Sequence, residues 1–197
     1  MRKDDQGRQR LKIVFFGPSM AGKTTALKWL YNNLEDVEKG RFTELSGSDD
    51  LTLFFDFVPF TATPHVIFDV YTTAGGDRHK TQRKIVLNSV DGILFMADSS
   101  VSALDKNKQS IAELEELEGL GKEIPLIVAL NRRDLPDALP KRQLLAELGI
   151  ENQPVYETIA TKGFGIKKAF QSLAREVLLN RLYKDKSPIQ RSIEALQ

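Results

Sequence analysis

Apolar residues recur along this chain in two alternating rhythms, short continuous runs and runs spaced three and four apart, and that alternation predicts an α/β fold. Residues 11–16 form a short apolar run ending at Gly17, suited to a buried central strand that delivers the chain to a tight loop. Residues 22–34 follow with Ala26, Leu27, Leu30 and Leu34 at helical spacing, so the loop opens directly into a helix. The polar stretch 35–50 reads as an exposed loop. Residues 53–60 and 66–71 are β-rich and separated by a hairpin connection at 61–65, which gives the sheet one antiparallel edge. Residues 91–97 and 124–130 are further strands, with a helical pattern at 102–118 crossing between them. Helices at 140–148 and 166–183 flank a weak strand at 154–158. The sum is about six strands, mostly parallel, with helices on both faces, and ligands in such sheets bind beyond the carboxyl ends of the strands.

No internal repeat or low-complexity segment interrupts this order, so one domain is expected over residues 11–183, preceded by a polar segment 1–10 and followed by a tail 184–197. At 197 residues, one core can bury about 70% of the surface that the unfolded chain exposes. Hydrophobic residues make up 41% and charged residues 28%, an ordinary globular balance. A formal net charge of +1 points to neither nucleic acid nor an anionic membrane. The absence of cysteine excludes disulfides, thiolate metal sites and prenyl or palmitoyl anchors, and Arg2 stands where a myristoylated glycine would be needed. The polar start resembles neither a signal peptide nor a membrane helix. A soluble cytoplasmic protein is expected, with recruitment to a membrane or cell pole left to partners.

Chemistry enters at Gly17-Pro18-Ser19-Met20-Ala21-Gly22-Lys23-Thr24, which matches the phosphate-loop pattern G-x-x-x-x-G-K-[ST] between a strand and a helix. Gly17 and Gly22 allow backbone angles and close approaches that a Cβ would block. The amides of Met20, Ala21, Gly22, Lys23 and Thr24, with Thr25 behind them and the helix dipole along the same axis, are suited to phosphate oxygens. Lys23 reaches the β- and γ-phosphates as a point charge, and the Thr24 hydroxyl is a Mg2+ ligand. A chance match in a glycine-containing turn is the plainer alternative, and the strand-loop-helix context weighs against it. The loop alone specifies a nucleoside triphosphate without specifying the base.

Asn131-Arg132-Arg133-Asp134 follows the apolar strand 124–130. A carboxylate at Asp134 can accept from N1 and the exocyclic N2 of guanine, donors that adenine does not offer in that arrangement. An ordinary turn with an Asx cap gives the same spacing, but behind a phosphate loop the base-reading role fits better. The nucleotides expected are therefore GTP and GDP, and Asp134 disfavours an ATP-using enzyme.

These residues resemble the Ras-like superfamily of small GTPases, whose N-K-x-D motif matches Asn131 to Asp134 with Arg132 in place of lysine. The resemblance implies the P-loop GTPase fold. Arg132 would lay its stem and guanidinium along the base. Tyr156-Glu157-Thr158-Ile159-Ala160-Thr161 resembles the superfamily's last base-contact loop, which implies that the Ala160 amide meets guanine O6, with Ile159 replacing a serine. Within the superfamily the chain resembles the MglA-like branch, with relatives among Arf-like proteins, over residues 11–179. That likeness rests on Thr52, Leu53-Phe54-Phe55-Asp56-Phe57, Val90-Asp91-Gly92-Ile93, Ala97-Asp98-Ser99 and residues 131–139. It extends to Thr72-Thr73-Ala74-Gly75, where most Ras-like proteins have an aspartate in the place of Thr72. The resemblance implies that the Thr52 hydroxyl joins Mg2+ when the γ-phosphate is present and that the Gly75 amide touches that phosphate, so that Lys23, Thr52 and Gly75 serve hydrolysis. It also implies effectors, a Roadblock/LC7-type activator, and work in cell polarity or motility.

The pattern breaks where hydrolysis is concerned. The water-positioning glutamine of the superfamily is Gly76, and the arginine that the MglA-like branch places before Thr52 is Leu51. Ser19 stands where glycine is common and can obstruct an arginine supplied by a partner. Asp77, Arg78 and His79 are candidates to substitute, although solvated switch residues are the plainer reading; Asp69 is expected to face solvent or pair along its own strand. Slow intrinsic turnover follows, with a guanine-nucleotide scaffold lacking turnover as the alternative.

Overall fold

The computed structural model describes residues 2–35, 37–45, 55–75, 79–118 and 124–185. Along them run β1 (Gln9–Phe16), α1 (Lys23–Asn33), β2 (Glu38–Lys39), β3 (Thr43–Leu45), β4 (Phe55–Thr63), β5 (Val66–Thr72), α2 (Lys80–Leu87), β6 (Gly92–Asp98), α3 (Leu104–Glu118), β7 (Leu126–Asn131), α4 (Lys141–Leu148), β8 (Val155–Glu157) and α5 (Ile166–Asp185). The sheet order is β2-β4-β5-β1-β6-β7-β8, with β3 also paired to β4. Strands β5, β1, β6, β7 and β8 are parallel. β4 runs antiparallel to β5, and β2 and β3 run antiparallel to β4. This is the P-loop GTPase arrangement, with a mostly parallel sheet and an antiparallel edge.

Period-2 side-chain alternation on the central strands makes two cores. Ile13 and Phe15 face α1 and α5, where Leu27, Leu30, Phe170 and Leu173 complete one cluster. Val14 and Phe16 face the other way, onto Val86 and Leu87 of α2, Leu114 of α3 and Leu144 of α4. The helices therefore cover both faces and leave the carboxyl ends of β1, β6 and β7 open.

Three features differ from the sequence reading. The sheet has eight described strands, because the stretch read as a loop contributes β2 and β3. These short segments carry no apolar alternation and form by backbone pairing to β4, as Glu44 opposite Asp56 illustrates. Helix α2 was not anticipated, since Arg83 lies on its buried face beside Val86 and Leu87 and breaks the apolar pattern. Asp69 faces neither solvent nor its own strand: it is buried and accepts two bonds from the Arg10 guanidinium on β1.

The N-terminal segment is folded against the domain, and β1 begins within it, at Gln9. Lys3 bridges Gln9, and Arg2 donates to the Ser89 carbonyl at 3.0 Å and to Asp91. Among the described residues, no helix is long and apolar enough to cross a membrane.

Candidate nucleotide site

The first strand ends at Phe16 and the chain turns where side chains do not fit. A Cβ on Gly17, whose φ is +144°, would stand 2.2 Å from the Met96 carbonyl oxygen of β6. Gly22 caps α1 in a left-handed conformation, φ +97°, and a Cβ there would meet Asn131 Nδ2 at 2.3 Å. These constraints leave the first-turn amides of α1 directed toward the loop, where a helix N-terminus has no internal acceptors for them.

The loop and the carboxyl end of β7 share a cavity of about 350 Å³. Met20, Gly22, Lys23, Thr24, Thr25, Gly75, Asn131, Arg132, Asp134, Ala160 and Thr161 all line it. Gly17 and Ala21 do not line it; they lie beneath, Gly17 against β6 and Ala21 fully buried. Leu51, Thr52, Gly76, Asp77 and Arg78 lie outside the described residues. His79 is the residue preceding α2 and is absent from the lining of this cavity.

Lys23 is buried, and its ammonium folds back to donate to the carbonyls of Gly17 at 2.8 Å and Pro18 at 2.6 Å. Burial pulls its pKa down to about 7, helped by the positive charge of Arg83 and opposed by the carboxylate of Asp56. A lysine so desolvated gains most from an anion arriving beside it.

Asn131 joins the two halves of the cavity. Its Nδ2 donates to Ala21 O at 2.8 Å, and its Oδ1 accepts from the Ala160 amide at 2.9 Å and from Thr158 Oγ1 at 3.3 Å. The Ala160 amide is thus engaged, so a base oxygen must compete for it. Arg132, at φ +63°, donates to Met20 O at 2.8 Å and pairs with Asp98 at 3.2 Å. Arg133 ties the same turn to Glu157 at 2.7 Å and to the Leu139 carbonyl at 2.6 Å. Where serine is usual, Ile159 is held through its backbone, its amide donating to Phe164 O at 3.0 Å. Asp134 is paired with Lys162 at 3.1 Å, and that hydrogen bond holds its carboxyl below the usual carboxylate range.

A residue that sequence reasoning passed over stands outside the lining, against Thr24. Asp56, near the start of β4, accepts from Thr24 Oγ1 at 2.5 Å and from Thr72 Oγ1 at 2.8 Å on the same carboxylate oxygen. Its own amide donates to Thr72 Oγ1 at 3.0 Å. Thr72 stands where most Ras-like proteins have an aspartate, and the carboxylate of Asp56 reaches its hydroxyl from the neighbouring strand. The signal in the sequence was a lone acid inside the aromatic run Phe55-Asp56-Phe57. One carboxylate and one hydroxyl beside a phosphate cradle fit a hard cation such as Mg2+, which takes few protein ligands and completes its shell with phosphate and water. Among the described residues, no group of three or more His, Cys, Asp or Glu side chains is placed to hold a metal ion.

The sequence profile of the ADP-ribosylation factor family matches residues 1–177. The chain is 35% identical over 176 residues to mutual gliding-motility protein MglA of Myxococcus xanthus, covering 85% of this chain and 90% of that protein. It is 23% identical over 180 residues to ADP-ribosylation factor-like protein 6 of Caenorhabditis elegans, covering 87% and 88%. A mouse Ras and EF-hand domain-containing protein homolog is 28% identical over 177 residues, which are 84% of this chain and 26% of that protein. Together with the phosphate loop, the Asn131–Asp134 turn and the sheet order, these matches establish that the chain belongs to the ADP-ribosylation factor family and is an MglA-like small GTPase.

Proposed function

We propose that this small GTPase is a switch that binds GTP and GDP through the residues lining the cavity, cleaves GTP slowly by itself, and is accelerated by a protein activator of the Roadblock/LC7 type. The observation that carries this reading is the convergence of Lys23, Thr24 and Asp134 on one cavity of about 350 Å³. Lys23 exchanges the loop carbonyls of Gly17 and Pro18 for phosphate oxygens, and the amides of Met20 to Thr24 hold the remaining charge. Thr24 and Asp56 would hold Mg2+, joined by Thr52 in the GTP form; the ion when bound supplies positive charge against the phosphate oxygens. Asp134 selects guanine, Arg132 flanks the base, and Ala160 and Thr161 close over it.

Slow turnover follows from Gly76 and Leu51, which offer neither a carboxamide to orient water nor a guanidinium to stabilise the transition state. The name of the Myxococcus xanthus relative supports work in motility, carried out in the cytoplasm with recruitment to a pole by effectors. Guanine selection is tested with Asp134→Asn, whose amide presents a donor where the carboxylate accepted. Calorimetry with GDP and XDP should show preference moving to xanthine. Unchanged GDP affinity in that variant would mean that the base is read elsewhere.

A further inference from the structure

Arg83 is only 5% exposed, so its guanidinium needs partners, and those among the described residues include groups from two other parts of the fold. Its Nε and Nη2 donate to the two carboxylate oxygens of Glu113 on α3, each at 2.8 Å. Its Nη1 donates to the carbonyl oxygen of Ala74 at 3.1 Å. That carbonyl belongs to the same peptide unit as the Gly75 N–H, and in a trans peptide the two point to opposite sides. Fixing one therefore aims the other.

Gly75 lies tight against the phosphate loop. A Cβ on it would stand 2.2 Å from Ser19 Cα and 2.3 Å from Ser19 N. The peptide is thus pressed on the loop from one side and held by Arg83 from the other. Gly17, Ser19, Gly75, Arg83 and Glu113 border one cleft of about 710 Å³, next to the cavity that holds Lys23 and Thr24.

We propose that Arg83, fixed by Glu113, is a positioning residue that orients the Ala74–Gly75 peptide so that the Gly75 amide tells a nucleoside triphosphate from a diphosphate. The proposal deepens the switch reading and rests on its assignment of the γ-phosphate to Gly75. Arg83 also acts at a distance, since its charge depresses the Lys23 pKa. A purely electrostatic role would need only a positive charge at this place, whereas orientation needs a planar fork that spans Glu113 and Ala74 at once.

The full chain is titrated with GDP and with a non-hydrolysable GTP analogue in Mg2+ buffer, and the ratio of the two dissociation constants is compared across variants. Arg83→Gln should weaken the analogue about tenfold relative to GDP, the scale of one well-directed hydrogen bond to a charged group. Glu113→Gln should shift the ratio in the same direction by less, and it keeps a neutral acceptor of the same shape, so it decides the matter if Arg83→Gln does not fold. Arg83→Lys should behave like Arg83→Gln, because an ammonium cannot span both partners. An unchanged ratio in Arg83→Gln, an equal loss for both nucleotides, or a wild-type ratio in Arg83→Lys would each overturn the proposal. Gly75→Ala separates the two levels. If it shifts the ratio and Arg83→Gln does not, only the role of Arg83 fails; if it leaves the ratio untouched, the γ-phosphate assignment fails and the proposal with it.

Discussion

Replacing Asn131 by alanine removes the side chain that joins the phosphate loop to the base loop, and the cost can be worked from its bonds. The change leaves the Ala21 carbonyl and the Ala160 amide without the partners they have at 2.8 and 2.9 Å, both in buried surroundings. Thr158 Oγ1 keeps the Leu130 carbonyl at 3.2 Å and adds little. Two unsatisfied backbone groups at about 1–3 kcal/mol each bound the loss between about 2 and 6 kcal/mol. Water entering from the adjoining cavity satisfies part of this, so about 3 kcal/mol is expected, or a fall in Tm of about 6–12 °C for a domain of this size. Urea unfolding of the nucleotide-free protein, fitted for midpoint and slope, measures the loss. A change below about 1 kcal/mol at constant slope would refute the assignment of Asn131 as the joint between the two loops.

Asp56→Ala should raise the Mg2+ concentration needed for half-maximal retention of a GTP analogue by at least about tenfold, the lower range for losing a ligand or its support. Unchanged Mg2+ dependence, read from analogue release during a metal titration, would place the carboxylate outside the metal site. Lys23→Met should abolish most triphosphate affinity yet leave Tm of the nucleotide-free protein equal or higher. The native ammonium is buried against its own loop with its pKa lowered to about 7, so its charge opposes the empty fold. A fall in Tm of more than about 5 °C would show that the bonds to Gly17 and Pro18 outweigh desolvation.

What the sequence displayed of the fold is what hydrophobic periodicity encodes. β1, α1, β6 and β7 are each marked by an apolar run or stripe, and the buried residues of β6, from Gly92 to Asp98, leave no polar gap to confuse the reading. The elements that escaped are those whose stability comes from elsewhere. β2 and β3 exist through pairing with β4, and α2 turns a charged residue inward because Glu113 on another helix neutralises it. The site divides in the same way. The residues proposed for phosphate and guanine lie in local motifs that a sequence displays, whereas the contact of Asp56 with Thr24 spans 32 positions and that of Asn131 with Ala21 spans 110. That Thr72 is not an aspartate was visible; the approach of Asp56 to it from the adjacent strand required the register of β4 against β5, in which Phe57 lies opposite Tyr71.

Single-turnover hydrolysis tests the central claim most directly. The protein is loaded with GTP, freed of excess nucleotide, and sampled for GDP and phosphate after Mg2+ is added, with ATP-loaded and Mg2+-free samples alongside. The expected result is Mg2+-dependent conversion of GTP to GDP at about 10⁻⁴ s⁻¹ or below, without cleavage of ATP. A rate near one per second without a partner, or stable binding of GTP with no conversion even in the presence of a Roadblock/LC7-type activator, would contradict a slow GTPase switch.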